Sequence, residues 1–347
     1  MTANRTVTVY GAYGHTGRFV VSELRRRGWT PVLSGRDPGK LRAAAEVGQG
    51  EPELRPAAVD SSTALDHALD GAAAVINCAG PFFWTAAPLI EAALRAGIPY
   101  LDVAAEIEAV ADTLAHYDDR AREAGIVIVP AMAFYGGLGD LLATAATRRW
   151  GSADEITIAY GLSSWNPTMG TREAGQVSRQ RRQGRRIVYT NGHMELRTDD
   201  PPILEWQFPA PIGTQKVVAE FTMADSVTIP RHLPTPEIRS YMTMTAVNDV
   251  TAPDASSPIA VDETRRSAQT FLVDVVARSG TTQRRAVAGG RDIYAISAPL
   301  VVEATERVLN GPVPRTGTLT AGQAFDAEDF LNSLPLDHLS LPEVSRP

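Results

Sequence analysis

The apolar pattern opens with Thr6-Val-Thr-Val-Tyr10, a short β-type run that breaks into closely spaced glycines and then into the amphipathic stretch Arg18–Arg27. Strand-like and helix-like segments alternate after it: 31–34, 38–46, 54–59, 62–69 and 73–78, then 85–96 closed by Gly97, 100–103, 106–124 and 126–130. Short buried-type strands alternating with helical periods predict a doubly wound parallel sheet, complete near residue 130. From Glu155 the texture changes to longer β-rich runs, with strands expected at 155–161, 215–221, 237–246, 270–278 and 284–288. Thr190-Asn-Gly192 reads as a tight hairpin turn, and 248–262 reads as an exposed loop. Helices are expected to begin at Gly170-Thr-Arg172 and to span 295–309 and 327–334. The expectation is an α/β protein: a Rossmann-type domain over 1–130, a second α+β domain with a largely antiparallel sheet over 131–294, and a C-terminal segment, 295–347, packing back on the first domain.

The glycines stand as Gly11-Ala-Tyr13-Gly14-His15-Thr16-Gly17 between a strand and a helix. That arrangement lets backbone N–H groups and a helix dipole hold a dinucleotide pyrophosphate. The second strand ends in Ser34-Gly-Arg36-Asp37, where an acid selects a ribose 2′-hydroxyl and a guanidinium a 2′-phosphate. Arg36, with Ser34 before it and Lys40 one turn on, favours NADP(H). Asp37 precedes Pro38 and is read as a helix N-cap. Asp60, expected at the end of the third strand, is a candidate for the adenine edge, and a simple loop acid is the alternative.

Composition narrows the classes. The chain has 347 residues, 44% hydrophobic and 21% charged, with net charge -7, so nothing in its balance favours nucleic acid or an anionic membrane surface. The basic run Arg179–Arg186 is read as a solvated helix face and turn. Cys78 is the only cysteine, which leaves no intrachain disulfide and no thiolate metal site. A strand beginning by residue 6 leaves no room for a signal peptide, and the apolar stretch 72–94 is interrupted by Asn77, two prolines and Glu91, so the cytoplasm is the expected compartment.

Five segments together resemble the saccharopine dehydrogenase-like superfamily and its bacterial trans-acting enoyl reductase branch. They are the glycine run at 11–17, Ser34–Asp37, Val75-Ile-Asn77-Cys78-Ala79-Gly80-Pro81-Phe82, Tyr100-Leu-Asp102-Val-Ala-Ala105-Glu106 and Gly136-Gly-Leu-Gly-Asp140. Ala105 stands where that family usually has glycine, and its G-F-D-x-x-P-x-D wording is missing after Pro130. The resemblance implies a second domain packed over the carboxyl ends of the parallel strands, enclosing the nicotinamide. Cys78, Ala79, Gly80 and Pro81 lie at such a strand end, where cofactor can approach backbone; Cys78 is read as a small residue beside it, not a nucleophile.

Hydride transfer asks the protein to align the cofactor and acceptor, exclude water and supply a proton. Phe82, Phe83 and Trp84, with Phe134 and Tyr135, are candidates for an apolar pocket, and core packing explains them equally well. Tyr135 is the candidate proton donor, with a domain-interface role as its alternative. His193 and His232 are further donors without evident partners. Arg172 is a candidate for an anionic substrate group. Asp102 and Glu106 are read as structural acids at a strand end and helix start. Neither lysine, Lys40 or Lys216, has tyrosine four residues earlier, which weakens a short-chain dehydrogenase mechanism. The expectation is an NADPH-dependent reductase acting on a C=C or C=N bond of a small-molecule or carrier-bound intermediate. The alternative is a non-catalytic NADP-binding sensor or scaffold. A homodimer through the antiparallel sheet fits either.

Overall fold

The computed structural model describes residues 5–46, 52–311, 313 and 315–343. The first region runs β1 (Thr6–Tyr10), α1 (His15–Arg26), β2 (Thr30–Gly35), α2 (Pro38–Glu46), β3 (Leu54–Pro56), α3 (Ser62–Leu69), β4 (Ala74–Asn77), α4 (Phe82–Ala96), β5 (Tyr100–Asp102), α5 (Ile107–His116), α6 (Asp118–Glu123) and β6 (Val127–Val129). A π-turn over Phe134–Leu138 leads into α7 (Gly139–Ala146), and the second region follows: β7 (Glu155–Leu162), α8 (Met169–Arg181), β8 (Arg186–Thr190), β9 (His193–Arg197), β10 (Ile203–Gln207), β11 (Thr214–Ala219), α9 (Asp225–Thr228), β12 (Glu237–Thr243), α10 (Met244–Thr251), β13 (Thr270–Ser279) and β14 (Thr282–Arg291). The chain then forms α11 (Ser297–Asn310), β15 (Gly317–Thr318), α12 (Ala321–Ala324), α13 (Ala327–Ser333) and β16 (His338–Ser340).

The first sheet is wholly parallel, in the order β15-β6-β5-β4-β1-β2-β3. Its order reverses between β1 and β4, which puts the ligand crevice at the carboxyl ends of those two strands. The seventh strand comes from the C-terminal segment, and its two residues carry too little pattern to be anticipated. The second sheet runs β10-β11-β12-β7-β13-β14-β16, antiparallel except for β12 beside β7, with the β8–β9 hairpin attached to β12.

The hairpin turns at Asn191 and Gly192, both at positive φ. Two expectations shift. The strand expected to 246 stops at Thr243, whose hydroxyl accepts from Leu162 N (3.2 Å) and donates to Leu162 O (3.1 Å), and α10 starts there instead of an open loop. The helix expected over 106–124 breaks at Tyr117 into α5 and α6. One apolar core joins both sheets, running from Val7, Val9 and Leu24 through Leu138, Leu142 and Leu300 to Ile156, Ile158 and Val273. Helix α11 lies along α1, tied by Arg27 to Glu303 and Glu306 and by Trp29 Nε1 to Glu306 (2.7 Å). Among the described residues, no helix is long and apolar enough to cross a membrane.

Candidate functional site

The glycine turn is built by contact distances that side chains would violate. A Cβ on Gly17 would stand 2.2 Å from Gly11 O, and one on Gly11, where φ is +80, would stand 2.8 Å from Ala79 N. These two glycines therefore bring α1 against β1 and the loop after β4. Gly11 N and Ala12 N donate to Ser34 O at 2.9 and 3.2 Å, which locks the turn to β2. Gly14 is the N-cap of α1, with no capping side chain and no acid in the first turn, so the N–H groups of His15, Thr16 and Gly17 face the crevice without a carboxylate. This is a fit for an anionic pyrophosphate.

Around it the sequence-predicted residues divide. The Tyr13 ring lies against Gly35 with the Lys40 ammonium 5.9 Å from its centroid, and Arg36 is exposed at the end of β2. Asp37 Oδ1 accepts from Gly39 N (2.9 Å) and Lys40 N (3.0 Å), so it is spent on capping α2. The Ser34 hydroxyl is buried and donates to Arg55 O of β3 (2.7 Å). Asp60 stands exposed in a turn beyond β3, not on the strand. Burial, then the Asp102 charge, pushes the Cys78 thiol up, which makes it a poor nucleophile. Asn77 Oδ1 accepts from Ala79 N (3.0 Å) and Thr85 donates to Ala79 O (2.6 Å), fixing the loop through Gly80 and Pro81.

The two acids of the Tyr100–Glu106 motif hold backbone. Glu106 accepts from Phe82 N (2.8 Å) and Phe83 N (3.2 Å), closing the N-terminus of α4 across the chain. Asp102 accepts from Ala131 N (2.7 Å), Ala104 N (3.0 Å) and Tyr100 Oη (2.9 Å), and burial raises its carboxyl to about 6. Ala131 is at φ +58, so Asp102 pins a strained crossover from which Phe134 and Tyr135 emerge.

Sequence reading missed the residue that joins the two regions. The Tyr294 hydroxyl meets Trp165 Nε1 (3.2 Å), Thr168 N (3.3 Å) and Thr171 Oγ1 (2.9 Å), while its ring lies edge-on to His15 of the glycine turn, 5.2 Å between centroids. Burial, followed by the charges of Arg18 and Arg265, lowers the His15 pKa against the pull of Asp292, and His15 Nε2 has no partner among the described residues. Trp165 also packs on Tyr135 (5.2 Å), and Tyr135 packs on Tyr160 (5.0 Å). Tyr160 Oη donates to Asp225 Oδ2 (2.5 Å), and Gly136 N donates to Asp225 Oδ1 (3.1 Å). Burial raises Asp225 to about 7 and carries the Tyr135 hydroxyl well above the tyrosine range. That hydroxyl is buried and has no hydrogen-bond partner among the described residues. No sequence period links Trp165, Asp225 and Tyr294, so only the fold brings them together.

Other candidates fall elsewhere. Phe82 is buried in a separate cluster with Ala104, Val110 and Ala131, and Trp84 is 59% exposed. Arg172 donates to Ala255 O, securing the 252–262 loop. The basic run is not a free face: Arg181 lies 3.9 Å over the Phe83 ring, Arg182 pairs with Glu108 (3.0 Å), and Arg186 pairs with Glu220. His232 Nε2 meets buried Asp140 at 2.6 Å; burial opposes the charge, but Asp140 prevails and raises the imidazole. His193 is exposed beside Glu195.

Comparison with known proteins agrees with this geometry. The family model for the saccharopine dehydrogenase NADP binding domain matches residues 7–129, from β1 to the end of β6. Residues 7–129 belong to that family. The saccharopine dehydrogenase-like domain thus includes the glycine turn, Arg36 and both motif acids, and NADP(H) is its cofactor. A saccharopine dehydrogenase-like oxidoreductase of Arabidopsis thaliana is 32% identical over 143 residues, covering 37% of this chain and 31% of that protein. A trans-acting enoyl reductase of Mycobacterium ulcerans is 27% identical over 133 residues, covering 37% and 32%. Each match spans about a third of the relative's length. Beyond the NADP-binding domain the likeness is one of fold: apo saccharopine dehydrogenase (L-Glu forming) of Saccharomyces cerevisiae superposes over 94% of this chain and 96% of its own, with TM-score 0.64 and 13% identity.

Proposed function

We propose that this protein is an NADPH-dependent reductase that delivers a hydride to a C=C or C=N bond of a small-molecule or carrier-bound acceptor, in the cytoplasm. The observation that supports this most is the contact of His15 with Tyr294, which sets the uncapped end of α1 directly beside a wall of the second domain. A cofactor on the glycine turn and an acceptor held by the second domain then share one boundary. NADPH supplies the hydride when bound. Gly11, Gly14 and Gly17 bring backbone donors to its pyrophosphate, Arg36 meets its 2′-phosphate, and the second domain excludes water. Tyr135 keeps its proton at a buried hydroxyl that has no hydrogen-bond partner among the described residues, and it is the candidate donor to the acceptor. The name trans-acting enoyl reductase, carried by one matched relative, puts C=C first among the acceptors to try.

The test is NADPH deuterated at either face of its nicotinamide, incubated with the protein and enoyl and imine acceptors. Label lost from one face alone supports the reductase. NADPH bound tightly with no label lost to any acceptor favours the sensor.

A further inference from the structure

The second domain contains a cavity of about 460 Å³ whose wall includes Tyr294, the residue that touches the glycine turn. It falls within the size range of small-molecule sites, roughly 300–1,000 Å³. Its lining residues carry no charged side chain. Several of its polar groups are already engaged: Gln269 accepts from Ile293 N (3.1 Å) and donates to Ser164 O, and Ser163 Oγ accepts from Thr270 N (2.9 Å). The Tyr294 hydroxyl is shared among Trp165, Thr168 and Thr171. Pro258, Ile259 and Val261 add an apolar edge, and Ile259 and Val261 are 69% and 58% exposed.

The buried carboxylate of Asp292 accepts from Ser267 N (2.7 Å) and Tyr294 N (3.0 Å), two residues of this wall, and none of the lining residues offers a cation. A carboxylate placed there would find no cation among the lining residues to offset the water it loses. An alkyl limb there would only gain.

We propose that this cavity receives the uncharged apolar limb of the acceptor, an alkyl or acyl chain, and that the acceptor carries no carboxylate on that limb. The proposal rests on the reductase reading for the identity of its ligand as an acceptor, but its binding test does not require turnover.

Nile red, a neutral apolar dye, is titrated into the full-length protein with and without NADPH, and then displaced with decanol or glutarate. The expected result is saturable fluorescence displaced by decanol and not by glutarate. Val261→Asp and Ala268→Trp each weaken the dye by about tenfold or more, while NADPH binding is unchanged. Both positions are exposed, so the fold tolerates the changes, and far-ultraviolet circular dichroism verifies it. Dye affinity equal in wild type and both variants, or displacement by glutarate at lower concentration than decanol, overturns the proposal. Failure of the wild type to bind NADPH would strike the reductase reading instead and leave the dye result standing.

Discussion

Two helices start side by side at the carboxyl ends of the parallel strands, and their N-termini are finished in opposite ways. Helix α1 begins at Gly14 with neither a capping side chain nor an acid in its first turn. Helix α4 begins at Pro81, also without a local cap, yet Glu106 reaches across from the start of α5 and takes the N–H groups of Phe82 and Phe83. An N-terminus carries partial positive charge and unpaired donors, so a buried one needs an anion. At α4 the protein supplies that anion itself. At α1 it supplies none, which suits the cofactor phosphates proposed to sit there. The difference supports α1 as the ligand-binding helix of the pair, and it gives Glu106 a structural purpose.

The sharpest way to break this contrast is to close α1 as α4 is closed. Gly14→Asp places a carboxylate at the open N-cap, where φ of −66 suits any residue and a Cβ would crowd Gly11 O at 3.1 Å. NADPH affinity should fall by about a hundredfold or more, with the thermal midpoint nearly unchanged. Unchanged NADPH affinity would show that the pyrophosphate lies elsewhere. The reverse experiment opens α4. Glu106→Ala strands two buried donors and should cost about 2–3 kcal/mol in urea denaturation, while NADPH affinity in the folded protein stays near wild type. A loss of cofactor binding larger than the loss of stability would make Glu106 a ligand residue after all.

A smaller effect separates the second domain's buried acid from the first domain's. Asp225 is raised by burial to about 7, so the folded state keeps a proton that the unfolded chain sheds near the ordinary value, and stability falls as pH rises through that interval. Asp102, raised to about 6, acts in the same direction. His232, raised by Asp140, adds stability below the ordinary histidine value and loses it as pH climbs past the folded one. Asp225→Asn keeps an acceptor for Gly136 N and should lessen the drop in urea midpoint between about pH 5 and pH 8, leaving the part due to Asp102 and His232. Parallel wild-type and variant curves would mean that Asp225 is ionised throughout.

How much of this was legible in the sequence follows from what builds each part. The glycine turn is made of backbone over a few consecutive residues, so spacing and flanking pattern carried it. The parallel strands and the role of Asp37 were legible for the same reason, since local periodicity and capping chemistry determine them. Ser34, on β2, shows the limit: its hydroxyl donates to Arg55 O on the neighbouring strand, a partner that local spacing does not reveal. The Tyr294, Trp165, Tyr135 and Asp225 cluster was invisible because its members lie on four separate segments. The basic run at 179–186 is less free than a charge run usually is, because Arg181 at the end of α8 lies over Phe83 of α4 and its C-cap Arg182 pairs with Glu108 of α5.

The central claim is that the first domain holds NADP(H) on the open end of α1 with Arg36 at the 2′-phosphate. Fluorescence titration of wild type and Arg36→Ala with NADPH and NADH tests it most directly. The account predicts that wild type prefers NADPH and that the substitution weakens NADPH by about tenfold or more while leaving NADH nearly unchanged. Equal loss for both nucleotides, or no binding of either by wild type, would contradict it.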